Sequence, residues 1–216
     1  MVRLQVALDL LDLERCLRIA EAALGAGAHI IEVGTPLVKY RGMEAVRTFR
    51  ERFPDSSILA DMKTVDAGAL EAKMAFEAGA NAVTVMGFAS DETVECVVRV
   101  AREFGGCVMV DLMGFAEPGE RIRELAKLEP DIYCLHVGVD VQMRRGVDAR
   151  VLAEDVRKLK RELGVKIAVA GGINEDTAGL FAEAGADVII VGGAITKSSD
   201  PASKTRAILE AMRRGE

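Results

Sequence analysis

Tryptophan is absent from this sequence, and tyrosine occurs only twice in 216 residues. Rings are too few for a platform on which nucleic-acid bases could stack. Excess positive charge is missing too. The net charge is -6, whereas a nucleic-acid surface needs a cationic stripe that displaces counterions. No apolar run approaches the roughly 18 residues of a membrane-spanning helix. Half of the residues are nevertheless hydrophobic, so they must fill a large core. The opening stretch, MVRLQVALDLLDLERC, carries charges every few residues and has no signal-peptide layout, and a cytoplasmic protein is expected. Cys16, Cys96, Cys107 and Cys134 are scattered, with no C-x-x-C spacing. They read as reduced, mostly buried thiols of a reducing compartment. No linker or low-complexity tract interrupts the chain, which reads as a single domain over 1–216.

What is present is alternation. Eight short runs rich in Val and Ile (4–8, 30–34, 57–62, 82–87, 108–114, 132–138, 166–171 and 188–193) are apolar almost throughout. Strands buried on both faces read this way. Between them lie stretches with apolar residues at helical spacing, among them 13–24, 42–52, 67–76, 93–104 and 151–163. Asp12 and Asn174 are plausible N-caps, and Gly79, Gly105, Gly164 and Gly185 plausible helix stops. Ala26-Gly27-Ala28-His29, Ala78-Gly79-Ala80-Asn81 and Ala184-Gly185-Ala186-Asp187 repeat one helix-to-strand turn. Strict alternation of strand and helix means a parallel sheet with helical crossovers, and eight units in this length make an α/β fold, the (β/α)8 or TIM barrel. An open doubly wound sheet is disfavoured, because no G-x-G-x-x-G follows the first strand.

Barrel active sites form at the C-terminal ends of the strands. Asp9, Glu32, Asp61, Lys63 and His136 all fall at or near those ends. Each is costly to bury unless paired, hydrogen-bonded or metal-bound. One alone could be a structural ion pair; five at one rim point to a site. Asp111 reads as a bridge between strands and is not counted among the site residues. Glu32 and Asp61 are hard oxygen ligands on neighbouring strands and suit Mg2+, since neither a cysteine nor a second rim histidine accompanies them. Gly171-Gly172 and Gly192-Gly193 close the last two strands, where barrels commonly bind phosphate. His29, at the opposite end, reads as structural. Arg144, Arg145 and Arg150 read as a solvated loop.

Asp61-x-Lys63-x-x-Asp66 resembles the signature of the orotidine-5′-monophosphate decarboxylase superfamily. Leu4-Gln5-Val6-Ala7-Leu8-Asp9, Glu32-Val33-Gly34-Thr35-Pro36-Leu37, Val169-Ala170-Gly171-Gly172-Ile173 and Val191-Gly192-Gly193-Ala194-Ile195-Thr196 narrow the likeness to its 3-hexulose-6-phosphate synthase family. The resemblance implies a Mg2+-dependent aldolase that joins formaldehyde to ribulose 5-phosphate, and also cleaves the product. It implies that Glu32 and Asp61 bind the metal, that Asp9 and Lys63 contact substrate and that His136 moves the C1 proton. It further implies that Gly171, Gly172, Gly192 and Gly193 cradle the phosphate. Asp66 would reach into a partner's site, making the active unit a homodimer. The chemistry is coherent: loss of a proton beside a carbonyl gives an enediolate, whose charge needs a fixed counter-charge. Two positions depart from the family pattern, Val137 and Val141. Among the alternatives, 3-keto-L-gulonate 6-phosphate decarboxylases carry arginines where this chain has Val139 and Gly193. Orotidylate decarboxylases use no metal, and ribulose-phosphate epimerases need a His-rich metal site. A non-catalytic barrel that binds a sugar phosphate is the reading from a different class.

Overall fold

The computed structural model describes residues 1–215. Eight parallel strands close into a barrel in sequence order: β1 (Arg3–Leu8), β2 (Ile30–Val33), β3 (Ser57–Thr64), β4 (Ala82–Met86), β5 (Cys107–Asp111), β6 (Ile132–His136), β7 (Ile167–Ala170) and β8 (Val188–Val191). β8 pairs back onto β1, so the sheet has no free edge. Helices cover the outside, with two between β2 and β3, two between β6 and β7 and two after β8. Among the described residues no helix is long and apolar enough to cross a membrane.

Strand residues alternate between two apolar layers. Outward residues such as Leu4, Val6, Ile31, Ile58, Val83, Val108, Leu135, Val169 and Ile189 pack beneath the helices. Inward residues Ala7, Ile30, Leu59, Met109, Ile132, Cys134, Ala168, Ala170, Val188 and Ile190 fill the barrel. The inward phase is therefore fixed on every strand. Because strand side chains repeat every two residues, it carries Glu32, Asp61, Asp111 and His136 inward as well.

Several strands stop earlier than their apolar runs. β2 ends at Val33 because Gly34 already caps the helix Thr35–Arg41, and Gly138 and Gly192 likewise cap the helices Val139–Arg145 and Gly193–Thr196. β3 runs on to Thr64 instead. Asp12 caps the helix Leu13–Gly25, accepting from the N–H of Arg15. Asn174 does not cap: the helix there begins at Ala178 behind Thr177, and the Asn174 side chain accepts from the N–H of Asp176 in a local turn. The cysteines are all free, but only Cys16 and Cys134 are buried. Cys96 is partly covered and Cys107 is exposed, fewer buried thiols than the sequence suggested.

At the N-terminal end of the barrel one device recurs four times. The residue before each even strand (His29, Asn81, Asp131, Asp187) donates its N–H to the preceding odd strand, at Leu4, Ile58, Val108 and Ile167. Its side chain accepts from the N–H of that same residue, at 2.8–3.0 Å. Three of these side chains also receive a cation from the helix before the odd strand: Arg50 to Asn81, Arg102 to Asp131 and Lys160 to Asp187. The Ala-Gly-Ala repeats lead into three of the four clasps, with φ between 89° and 105° at Gly27, Gly79 and Gly185.

Candidate active site

The opposite end of the barrel is irregular. Ala60 pairs with Val83 and Thr64 with Val85, so three residues of β3 (Asp61, Met62, Lys63) face Thr84 alone. Lys63 sits in the bulge with φ +46°, unusual for a residue with a Cβ. Thr84 holds the bulge together. It accepts from the Lys63 N–H at 2.8 Å and donates to Asp61 Oδ1 at 2.8 Å. Thr35, at the start of the helix after β2, donates to Asp61 from the other side at 2.6 Å.

From Asp61 a line of charge crosses the rim. Lys63 Nζ lies 2.7 Å from Asp61 Oδ2 and 3.2 Å from Asp111 Oδ2, and Asp111 Oδ2 lies 2.9 Å from His136 Nδ1. Burial works against the Lys63 charge, but the Asp61 and Asp111 carboxylates outweigh it and raise its pKa. Burial also opposes ionisation of Asp111, yet the hydrogen bond and charge of His136, with Lys63, hold its carboxyl below the ordinary range. Asp111 does bridge strands, as the sequence suggests, and because those strands carry Lys63 and His136 it also joins the charged cluster that the sequence reading leaves it out of.

Glu32 lies on the next strand over. It is almost fully buried, and Gln5 Nε2 donates to its Oε2 at 2.7 Å. Its Oε1 accepts from no donor among the described residues. Burial, then the charges of Asp61 and Asp9, push its carboxyl well above the usual range. Asp9 sits at the mouth, and its carboxyl is raised by the crowding protein and then by Asp61. A Cβ on Gly34 would collide with Asp9 Oδ1, so that glycine makes the seat for Asp9.

At β7 and β8 the rim is bare backbone. Gly171 (φ +118°) and Gly172 (φ +71°) answer a local need, since a Cβ there would come within 2.6 Å of Val137 O and 2.9 Å of Gln142 Oε1. Gly192 and Gly193 differ: neither has positive φ, and a Cβ on either would meet nothing nearer than 3.6 Å. Asp66 does not join the cluster within one chain; it is exposed in the loop before the helix Gly68–Glu77.

Two sets of side chains could hold a cation. Asp111, Cys134 and His136 have ligand atoms within 4.8 Å of one another. Burial keeps the Cys134 thiol protonated well past its ordinary value, with Asp111 adding to the effect, and Asp111 and His136 already bond each other. Glu32 and Asp61 offer oxygens alone, which suits a hard divalent ion.

The family model for the orotidine 5′-phosphate decarboxylase / HUMPS family matches residues 2–208. The chain belongs to that family. Within it, the chain is 37% identical to the 3-hexulose-6-phosphate synthase of Mycobacterium gastri, over 98% of this chain and all of that one. A crystal structure of a 3-hexulose-6-phosphate synthase superposes with a TM-score of 0.92 at 38% identity, over 97% of this chain and 99% of the other. A crystal structure of KGPDC from Streptococcus mutans gives 0.91 at 28% identity, over 99% and 98%. Family membership fits what the sequence motifs implied. Those motifs did not reveal Gln5, Thr84 or Asp111, yet a signal was there: each is a polar residue at the inward phase of an otherwise apolar strand.

Proposed function

We propose that this barrel joins formaldehyde to D-ribulose 5-phosphate, giving D-arabino-3-hexulose 6-phosphate, and cleaves that product in reverse. One observation carries the reading: the continuous line Asp61–Lys63–Asp111–His136 beside a buried Glu32, at the strand ends of a barrel similar throughout to named synthases. Asp111 engages His136 Nδ1 and leaves Nε2 to take the proton from C1 of the sugar phosphate. The Asp111 carboxylate then stabilises the imidazolium. C1 attacks the formaldehyde carbon, and the new oxyanion takes up a proton. Lys63, fixed between Asp61 and Asp111, presents its ammonium to the substrate's oxygens, and Asp9 accepts from a substrate hydroxyl at the mouth.

Glu32 and Asp61 would hold the divalent metal, Mg2+ by the hardness of the donors. The fit is supported by the Glu32 oxygen that accepts no bond and by an all-oxygen pair on adjacent strands. When bound, the cation supplies positive charge opposite the oxygens that become negative as the C1 proton leaves. Gly171, Gly172, Gly192 and Gly193 offer backbone N–H groups to the phosphate. The space beside Gly192 and Gly193, which no Cβ fills and local geometry does not require, supports this placement.

A homodimer with shared sites is part of the reading. Asp66 is exposed among apolar neighbours that are exposed too: Val65, then Leu70 and Met74 one helical turn apart. A second copy covering them would bring Asp66 to its partner's rim. Four free cysteines accord with a cytoplasmic setting, and the net charge with a small-molecule substrate rather than nucleic acid. The deciding experiment follows formaldehyde consumption in the presence of ribulose 5-phosphate and Mg2+. No consumption by the folded protein would overturn the reading. Release of carbon dioxide from 3-keto-L-gulonate 6-phosphate instead would move it to the decarboxylase branch.

A further inference from the structure

We propose that Gln5 is a positioning residue for metal binding: its amide, set one layer below the rim, pins one oxygen of Glu32 and so presents the other to the cation. The proposal rests on the reading of Glu32 as a metal ligand.

Gln5 is 1% exposed, inside the barrel. It stands level with Ile30 on one side and Ile190 on the other, whereas Glu32 is level with Ala7, one inward position higher. Its neighbours in this interior are otherwise apolar. The amide N–H donates to Glu32 Oε2 at 2.7 Å, while Gln5 Oε1 has no partner among the described residues. Among the described residues it is the only side-chain oxygen or nitrogen shut off from solvent without a partner; Glu32 Oε1, also unbonded, is not shut off in this way. With Glu32 ionised, as a cation ligand must be, the orientation is set, because a turned amide would aim its carbonyl oxygen at the carboxylate.

An unsatisfied buried carbonyl works against the fold, and it demands an explanation. Packing gives none: Met or Leu would occupy a similar volume at this position without an unpaired oxygen. The bond to Glu32 does give one. Glutamate has three rotatable side-chain bonds, and β2 ends one residue after Glu32. Without a donor beneath it, the carboxylate could turn toward the Lys63 ammonium or solvent, and a cation would have to order it on binding. With Oε2 tied to Gln5, the arrangement is set beforehand. Outer partners that orient a ligand in this way typically account for 10–100-fold in metal affinity.

Mn2+ is the probe, with free ion measured by electron paramagnetic resonance during titration of the intact protein. Gln5→Met, which keeps volume and loses the donor, should weaken Mn2+ binding about 10–100-fold. The Michaelis constant for ribulose 5-phosphate and kcat at saturating Mn2+ should stay near those of wild type. Gln5→Leu should behave alike and serves if Gln5→Met does not fold. A role confined to packing predicts a shifted melting temperature with an unchanged Mn2+ dissociation constant, and that result would overturn the proposal. Glu32→Gln run in parallel separates the two ideas. If it abolishes Mn2+ binding while both Gln5 variants bind normally, only the Gln5 proposal fails. If Glu32→Gln binds Mn2+ as wild type does, the metal reading falls and this proposal with it.

Discussion

The two ends of the barrel are built on opposite plans. At the N-terminal end four residues at equivalent positions do one job, each clasping the odd strand before it through both backbone and side chain. At the C-terminal end the strands finish differently, apart from the last two: β2 offers a buried glutamate, β3 a bulge with Asp61 and Lys63, β5 an aspartate, β6 a histidine, and β7 and β8 bare glycines. The clasping side chains of the lower end are each matched to a partner nearby. The upper end instead crowds Glu32 and Asp9 until their pKa values rise, holds a lysine at positive φ and leaves a Glu32 oxygen unused. Repetition serves closure of the barrel, whereas irregularity concentrates charge where a substrate can use it. If this division is real, changes above should cost activity and spare the fold, and changes below should do the reverse.

The largest effect is expected at Glu32. Glu32→Gln keeps shape and removes the charge that would hold the cation, and should lower kcat/KM by roughly 10³-fold or more, a loss of several kcal/mol of transition-state stabilisation. Chelation of the wild type should mimic it, and Mg2+ or Mn2+ should restore the wild type alone. The fold should not suffer. The folded pKa of Glu32 lies above its unfolded value, so the folded, metal-free protein binds more protons than the unfolded chain just above the ordinary glutamate range. Its stability should therefore fall as pH rises through that window, with Asp9 acting in the same direction. The thermal stabilisation by added Mg2+ should grow over the same interval, and Glu32→Gln should flatten both slopes. Melting curves across pH, with and without metal, would expose a wrong sign at once.

His136→Gln comes next. A general base typically contributes about 10²–10⁴ in rate. The variant should lose kcat by that factor and keep its sugar-phosphate affinity, since the glycine turns are untouched. Exchange of the C1 proton of ribulose 5-phosphate with deuterium, followed without formaldehyde, isolates the step. Ordinary exchange in a folded His136→Gln protein would remove His136 as the base.

The fold was largely legible because burial writes itself into residue type: eight Val- and Ile-rich runs could be nothing but strands covered on both sides. The charged residues of the site were legible for the complementary reason, that Glu32, Asp61 and His136 stand out within such runs and Lys63 just past the end of one. What escaped depends on distance across the barrel. Asp111 reads as no more than a strand bridge because the residues it bridges, Lys63 and His136, come from other strands, 48 and 25 residues away. The β3 bulge escaped because nothing in Asp61-Met62-Lys63 announces a positive φ. Asn174 departs from the expected N-cap for a local reason, its side chain closing a tight turn ahead of the helix rather than the helix itself.

The smallest expected effect sits at the lower end and tests the other half of the comparison. Asp187 Oδ2 accepts from the Ile167 N–H at 2.8 Å and from Lys160 Nζ at 2.7 Å. Asp187→Ala would leave the Ile167 N–H without its side-chain acceptor, at about 1–3 kcal/mol. For a chain of this size that is roughly 2–4 °C in Tm for each kcal/mol. Asp187→Asn should recover most of the loss, because the same molecule already uses an amide oxygen for this purpose at Asn81. It should not recover all, since the paired charge with Lys160 is gone; that pair is partly exposed and contributes little on its own. Through both substitutions kcat/KM per folded molecule should hold, as the clasp lies a full strand length below His136 and Glu32. A fall in kcat/KM for Asp187→Ala without a lower Tm would mean that the repeated end also shapes the reactive one, and the division between the two ends would be lost.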